Sequence, residues 1–489
     1  MKIALINPPL IQCLKGSRPN PVITSLFFNS PPLGLCSIAA VLEQRGIAVT
    51  VTDAAVERLD FEGVVRRAAG ADVVGLTATT CSIADAWELA RRLKEASPAV
   101  LVLGGPHVSV APEHALSCGS FDYGVIGEGE DTFPELLQRL ASGASPRDVD
   151  GIVFREDGRL VRGRPRAWIQ DLDRLPLPAR HLLPIERYVP QPNDERARPK
   201  LSMVSSRGCP YQCIFCDKGA MGAPYRSFSP GYIVSEMEHL VRRYGARDIA
   251  FVDSLFTPSE ERVDAIVREI GRRGLQVSWT CTVRANVIAH KETLRKMRDA
   301  CCWRIRLGVE SGNEEVLRFI RKKTTREQIR AVAGWADELG LQPKGFFMLG
   351  HLNETKSTMQ ETIDFAKSLP LKDVTVQINT PLPGATQFSM CGEYGTLLSR
   401  DFRDYTLFDP VFIPKAMSRE DLESAVDRFY RSFYLRPVVV WRHLVRIRSL
   451  RDVKRYALAF WLLLYLSFRH AFQTSGGRLR AGGEAARAG

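Results

Sequence analysis

The chain has 489 residues, 45% of them apolar and 25% charged, which is room for about three domains and a substantial core. That balance excludes a disordered chain, a collagen and a disulfide-rich secreted scaffold. Lys and Arg number 67 against 55 Asp and Glu, a formal charge of +12, which raises nucleic acid, an anionic membrane surface or an anionic substrate as partners.

At the N-terminus, Met1-Lys2 leads into a short apolar run at 3–6 and then Asn7-Pro8-Pro9. A secretory leader has a longer apolar stretch and a cleavage site. A cytoplasmic protein with mostly reduced cysteines is therefore expected. Over residues 1–144, short apolar runs at 2–6, 48–52, 73–77, 100–103 and 123–126 alternate with helical patterns such as 35–45 and 83–95. Continuous apolar strands between helices predict a doubly wound parallel sheet, which takes ligands at the carboxyl edge of its strands. At that predicted edge lie Asn7-Pro8, Thr77 and Thr79, Gly104-Gly105 with His107, and Gly127-Glu128-Gly129. Any one of these is ordinary turn chemistry. Four on one edge let a bulky ligand approach the backbone closely.

Residues 145–198 read as a hairpin, turning at Asp157-Gly158, and then a proline-rich linker. Over 199–392 a second series follows, with strands at 201–205, 248–253, 277–281, 304–309, 345–349 and 374–378 and helices at 230–244, 258–273, 325–339 and 355–369. Six such units predict a partial parallel barrel with its site at the carboxyl ends of the strands. After the first of these strands stand Cys209, Cys213 and Cys216, spaced C-x₃-C-x₂-C. Three thiols from one loop can ligate three irons of a [4Fe–4S] cluster and leave the fourth open. A structural zinc site would call for a further Cys or His at similar spacing.

With Phe215 before the third cysteine, this motif on the first loop of a (β/α)₆ barrel resembles the radical S-adenosylmethionine (SAM) enzymes. Gly308 to Gly312, 347–355 and Pro381-Leu382-Pro383-Gly384 resemble that family's segments after the fourth, fifth and sixth strands. The first domain resembles the cobalamin (B12)-binding domain that precedes the barrel in one large subfamily, which includes radical methyltransferases and the anaerobic magnesium-protoporphyrin ester cyclase group. Phe433 to Pro437 resembles a stretch following the barrel in the latter. The resemblance, over roughly 1–440, implies an α/β chain with a Rossmann-like cobalamin domain and then the barrel; the pattern beyond predicts a helical extension at 393–475 and a Gly/Ala-rich disordered tail at 476–489. The resemblance implies that Cys209, Cys213 and Cys216 hold the cluster. Phe215, Asp253, Ser254, Arg284, Glu310, Ser311 and Gly350 would serve the cluster and SAM. Asn7, Pro8, Thr77, Thr79, Gly104, Gly105, His107, Gly127, Glu128 and Gly129 would line the cobalamin site. Departures are the missing Asp-x-His-x-x-Gly after the first strand, Asp253-Ser254 in place of Asp-Asp, and His351-Leu352-Asn353 in place of Leu-Pro-Gly. The first implies cobalt without a histidine ligand, and His107 is read as a pocket wall.

The chemistry so implied is SAM cleavage to a 5′-deoxyadenosyl radical, hydrogen abstraction from an unactivated carbon of a small molecule, and methylation through methylcobalamin. A flavodoxin or ferredoxin would supply electrons. Cyclisation, oxidation or rearrangement without methyl transfer stays open. So does a methylthiotransferase using Cys13, Cys36 and Cys81 for a second cluster, and a non-catalytic cobalamin carrier. Cys36 falls in an apolar helix pattern, where a buried inert thiol is commoner. From Arg436 onward, 11 basic residues face two acids, which is nine of the twelve net charges. Nucleic acid is therefore not expected. The basic stretch 441–448 and the apolar run 456–468 are either an interfacial helix at the inner face of the membrane, suiting a lipophilic substrate, or a helix packed on the barrel. The run is too short to span a bilayer.

Overall fold

A computed structural model describes residues 1–11, 30–190, 194–219, 221–222 and 224–444. Cys13, the run 456–468 and the tail from Gly476 lie outside the described residues.

The first sheet holds β1 (Ile3–Asn7), β2 (Val49–Asp53), β3 (Val73–Thr77), β4 (Val100–Gly104), β5 (Tyr123–Val125), β6 (Ile152–Glu156) and β7 (Arg159–Arg162). Their spatial order is β2-β1-β3-β4-β5-β6-β7. β1 to β5 pair in parallel, each within a residue of the sequence expectation. Alternation along β1 divides the core. Ile3 and Leu5 pack with the helices Leu33–Gln44 and Gly129–Ser142, while Ala4 and Ile6 pack with Ile83–Ala96. β1 and β3 flank the point where strand order reverses, so a crevice opens at their carboxyl ends. The hairpin β6–β7 joins this sheet as its antiparallel edge. Its turn has positive φ at both Asp157 (47°) and Gly158 (76°), as a type I′ turn demands.

The linker ties the two units together. Leu172 and Leu175 enter the barrel core, whereas Ala179, Leu183 and Tyr188 enter the first core. Arg180, fully buried, donates to Ser202 O (3.0 Å) and Glu236 (2.6 Å). The Tyr188 hydroxyl donates to Asp53 (2.8 Å).

The second sheet is built from β8 (Lys200–Met203), then β11 (Asp248–Phe251), β12 (Ser278–Val283), β13 (Cys302–Glu310), β14 (Lys344–Leu349) and β15 (Asp373–Ile378). A short antiparallel pair, β9 (Ser206–Arg207) and β10 (Arg226–Ser227), intervenes. The six long strands are all parallel in the order β15-β14-β13-β12-β11-β8, an open barrel with its gap between β8 and β15. Five of the outer helices begin on a side-chain cap, at Ser229, Ser259, Asn313, Thr325 and Thr355.

The extension expected to be helical instead opens with an antiparallel pair, β16 (Gly395–Leu397) and β17 (Phe412–Pro414). Strands of three residues are too short to show a period in sequence. The helix Arg419–Tyr434 follows and docks on the barrel edge, its Tyr430 hydroxyl bonded to Val376 O (3.2 Å). Among the described residues no helix is long and apolar enough to cross a membrane.

Candidate active site between the two sheets

β9 and β10 pair Ser206 with Ser227 and Arg207 with Arg226, closing the intervening chain into a noose. Gly208 opens it at φ 79°, where a Cβ would lie 2.0 Å from the Pro224 carbonyl oxygen. Only glycine fits there. Within the noose Cys213 is buried, Cys209 half-buried and Cys216 exposed, all three as free thiols. Although part of Cys216 reaches solvent, desolvation of its sulfur by the packed surroundings, followed by Cys213 and Cys209, raises its thiol to about 11. Thiols placed to oppose one another's ionisation are held as thiolates by a bound cation. Among the described residues, no three of His, Cys, Asp and Glu converge on a single metal ion. The donor set instead fits a cluster in which each thiolate takes a different iron.

Arg284, after β12, stands beside this loop. Its Nη1 lies 3.7 Å from the Cys213 sulfur, and its guanidinium covers the Tyr211 ring at 3.6 Å. It also donates to the Lys322 carbonyl. Tyr211 is held in turn by Asn286 (3.1 Å). Tyr211, inside the cysteine loop, is expected from sequence to shape its wall; Asn286 and Lys322 are missed, Lys322 because it meets Arg284 from 38 positions away and Asn286 because a lone amide after a strand carries no local signal.

The other expected barrel residues divide. Asp253 is buried and accepts from Ser205 N (2.6 Å), Ser206 N (2.9 Å) and Ser205 Oγ (2.7 Å), so it braces the root of the cluster loop. Burial raises its carboxyl despite these donors. Ser254 is exposed beside it. Glu310 sits at a bulge where the register between β13 and β14 shifts, with φ 66°. It accepts from Lys322 at 2.7 Å. A non-glycine residue in that region is costly and marks a position whose surroundings force it. Ser311 turns away from the mouth: its hydroxyl is occupied by Thr362 (3.1 Å) and Asn313 N (3.2 Å).

After β14, Gly350 N (2.6 Å) and His351 N (3.0 Å) both donate to one oxygen of buried Glu354. Burial pushes the Glu354 carboxyl up to about 8, and burial with Lys322 pushes His351 down to about 3. Glu354 is thus protonated and His351 neutral near pH 7. The His351 ring lies 5.7 Å from that of Phe215. Both His351 ring nitrogens, the second Glu354 oxygen and the Asn353 amide oxygen are buried with no partner among the described residues. Four orphaned polar atoms on one loop beside the cluster motif fit a polar cofactor such as a nucleoside, which would satisfy them.

At the first sheet, Asn7, Thr77, Thr79, Gly104, Gly105, Gly127, Glu128 and Gly129 all line one cavity of about 440 Å³ that extends to the barrel wall. Its deep end is apolar, with Leu5, Leu76, Val102, Val125 and Phe133. A Cβ on Gly75 would come within 2.8 Å of Leu5, and one on Gly105 within 2.5 Å of the Thr77 hydroxyl. An apolar trough kept open by glycine, with a small-residue rim, fits a large planar cofactor carrying a tail.

Two expectations at this edge are corrected. Pro8 is not among the lining residues. His107 is fully buried behind the edge, with Nδ1 3.2 Å from the Thr80 hydroxyl and Nε2 3.0 Å from His114. Burial, then His114, lowers it to about 3. The one-turn helix Pro106–Val110 rotates this side chain into the core. No histidine lines the cavity among the described residues.

Glu128 lines the cavity but is otherwise engaged. It accepts from Arg207 (2.9 Å), Arg226 (2.7 Å) and Ile169 N (2.8 Å). Glu130 accepts from Arg207 (2.6 Å) and Ser37 (2.8 Å). Burial raises the Glu130 carboxyl, and Arg207 and Ser37 more than reverse that. All four charged side chains are buried. The turn after β5 is thereby bolted to the two residues that close the cluster noose. Sequence reading missed this network, since its partners lie 77 to 98 positions apart.

The matches to known families agree with this arrangement. Residues 19–137 match the B12 binding domain model and residues 203–366 the radical SAM superfamily model. The chain is 33% identical to an uncharacterised methyltransferase of Pyrococcus horikoshii, over 90% of this chain and 94% of that one. It is 29% identical to the anaerobic magnesium-protoporphyrin IX monomethyl ester cyclase of Rubrivivax gelatinosus, over 83% of this chain and 74% of that one. Its fold is similar to that of the radical SAM methyltransferase TsrM of Kitasatospora setae, solved with cobalamin and a [4Fe–4S] cluster. The TM-score there is 0.68 at 18% identity, covering 88% of this chain and 89% of that one. The chain belongs to the cobalamin-binding radical S-adenosylmethionine enzymes, with a [4Fe–4S] cluster, SAM and cobalamin as its cofactors.

Proposed function

We propose that this enzyme methylates an unactivated carbon of a small molecule held between the cobalamin edge and the cluster loop. The observation that supports this reading is the buried Glu128/Glu130–Arg207/Arg226 network, which ties the glycine-rich edge of the first sheet to the cysteine noose. The chemistry these groups supply when bound is one-electron cleavage of SAM, radical formation at a substrate C–H bond and methyl donation through cobalamin.

The chain's part is placement. Cys209, Cys213 and Cys216 hold three irons from one loop. Arg284 beside Cys213 supplies positive charge where the methionine carboxylate would lie. Lys322, Glu310 and the loop Gly350 to Glu354 wall the nucleoside side. The glycine rim and apolar trough would seat cobalamin, and no histidine stands in the described cavity lining. Cys36 is fully buried, with its thiol pushed up to about 12 by burial, which weighs against a second cluster on the first domain.

The reading calls for an electron carrier of the flavodoxin or ferredoxin class. Peripheral contact with an anionic membrane is supported by exposed Leu435, Val438, Val440 and Trp441, which cluster on and just before the helix Pro437–Leu444. A lipophilic substrate would follow from residues 456–468, outside the described residues.

Anaerobic protein reconstituted with iron, sulfide and cobalamin, then given SAM and reductant, tests the proposal. The wild type is expected to release both 5′-deoxyadenosine and S-adenosylhomocysteine. Cys213→Ala is expected to keep its cobalamin and release no 5′-deoxyadenosine. Release of 5′-deoxyadenosine without S-adenosylhomocysteine would favour the cyclase-like reading over methylation.

A further inference from the structure

A second cavity, also of about 440 Å³, occupies the lumen of the open barrel. Its walls are the inward-facing alternate residues of the strands, among them Ser202, Thr282, Thr375 and Gln377. At one end it reaches Asp253, which braces the cluster loop. Ser30 lines both this cavity and the trough of the first sheet. The two cavities therefore meet the same residue, Ser30, from opposite sides.

Its other end is basic. Lys200, Arg304, Arg306 and Lys344 meet Asp194, Asp248 and Asp373 in one network, four positive charges against three negative. Asp194, from the linker, already presents a carboxylate to Arg306 (3.0 Å) and Lys200 (3.1 Å). Lys344 Nζ, which faces the cavity, has its nearest carboxylate oxygen at 3.7 Å, beyond hydrogen-bond length. Arg306 contacts Asp194 through Nη2 alone. The hydroxyl of Ser202 is buried in the same wall with no partner among the described residues. Among the described residues, two cations with donors to spare and an orphaned hydroxyl converge on this end of the space, away from Asp253.

We propose that the lumen selects a substrate bearing an oxyanion, a carboxylate or a phosphate, with Arg306 and Lys344 as its specificity-determining residues. The inference deepens the methylase reading and rests on it. The anion docks at the basic end, and the carbon to be modified extends toward the cluster loop and the cobalamin edge. Asp194 competes with the incoming anion for Arg306, so removing its charge strengthens binding.

Anaerobic calorimetry on SAM-loaded holoenzyme tests this with inorganic phosphate, succinate and neutral succinamide as probes. SAM keeps its own carboxylate site filled. At least one anion is expected to bind saturably, and succinamide is not. Lys344→Gln and Arg306→Gln are expected to weaken that anion by about tenfold or more, and Asp194→Asn to tighten it. The bound anion tells phosphate from carboxylate. Equal binding of succinamide, no saturable anion binding by either wild type or Asp194→Asn, or unchanged affinity in both cation variants with wild-type iron and cobalamin content would overturn the proposal. Iron and cobalamin content, with 5′-deoxyadenosine release by the wild type, report on the cofactor sites separately. If they are intact while anion binding fails, the lumen assignment falls and the methylase reading stands.

Discussion

His107 and Glu354 show how burial decides what a titratable side chain can do. His107 follows the Gly104-Gly105 turn, yet its ring is held by Thr80 and His114 inside the core. His107→Ala should leave the absorption and electron paramagnetic resonance spectra of bound cobalamin unaltered, because no cobalt ligand is lost. It should cost about 1–3 kcal/mol of stability through the partners left unpaired. A changed cobalt spectrum would place the ring in the cavity.

Glu354 has its native carboxyl near 8 against an ordinary 4.5. Between those values the native state binds more protons than the unfolded state. Stability therefore falls as pH rises through that window and levels off above about 8. Urea midpoints of SAM-free protein should fall from about pH 5 to about pH 8, and Glu354→Gln should flatten that slope. An equal slope in the variant would mean that Glu354 is ionised throughout. The polar chemistry of this loop was only half visible in sequence. His351 and Asn353 stood out as departures from the family pattern, but their lack of partners depends on what packs around them.

At the scale of elements, local pattern was a good guide. The parallel strands of both sheets and the cysteine noose carry their signals within a few residues, through apolar runs, caps and C-x₃-C-x₂-C spacing. What each edge residue bonds to was not legible. Glu128 sits on the expected ligand edge, yet its carboxylate bolts that edge to Arg207 and Arg226 across the molecule. Such pairing is set by how two sheets dock, which no local period encodes. Arg226→Met leaves Glu128 with one fewer cation in a buried site and should destabilise the protein by about 3–5 kcal/mol, read as a lowered urea midpoint. Adding Glu128→Gln should recover part of that loss and also weaken SAM binding, because the noose loses its brace. Additive losses would mean that the two side chains act independently.

For the whole molecule, charge and architecture tell one story. The catalytic body is near neutral and the positive excess lies in the C-terminal segment, beginning where the last described helix exposes Trp441 and Val438. Full-length protein should float with anionic phosphatidylserine vesicles and a truncation after Tyr434 should not. Equal flotation would locate any membrane contact elsewhere. The two sheets meet carboxyl edge to barrel mouth, with the linker packed into both cores and the glycine-rich edge tied to the cysteine noose.

The central claim, methyl transfer between two sites held in this apposition, is tested most directly by anaerobic turnover with methyl-deuterated SAM and anionic candidate substrates, followed by mass spectrometry. The account predicts a product carrying a trideuteromethyl group, with 5′-deoxyadenosine and S-adenosylhomocysteine formed in equal amounts. A modified product without deuterium, formed with 5′-deoxyadenosine alone, would contradict it.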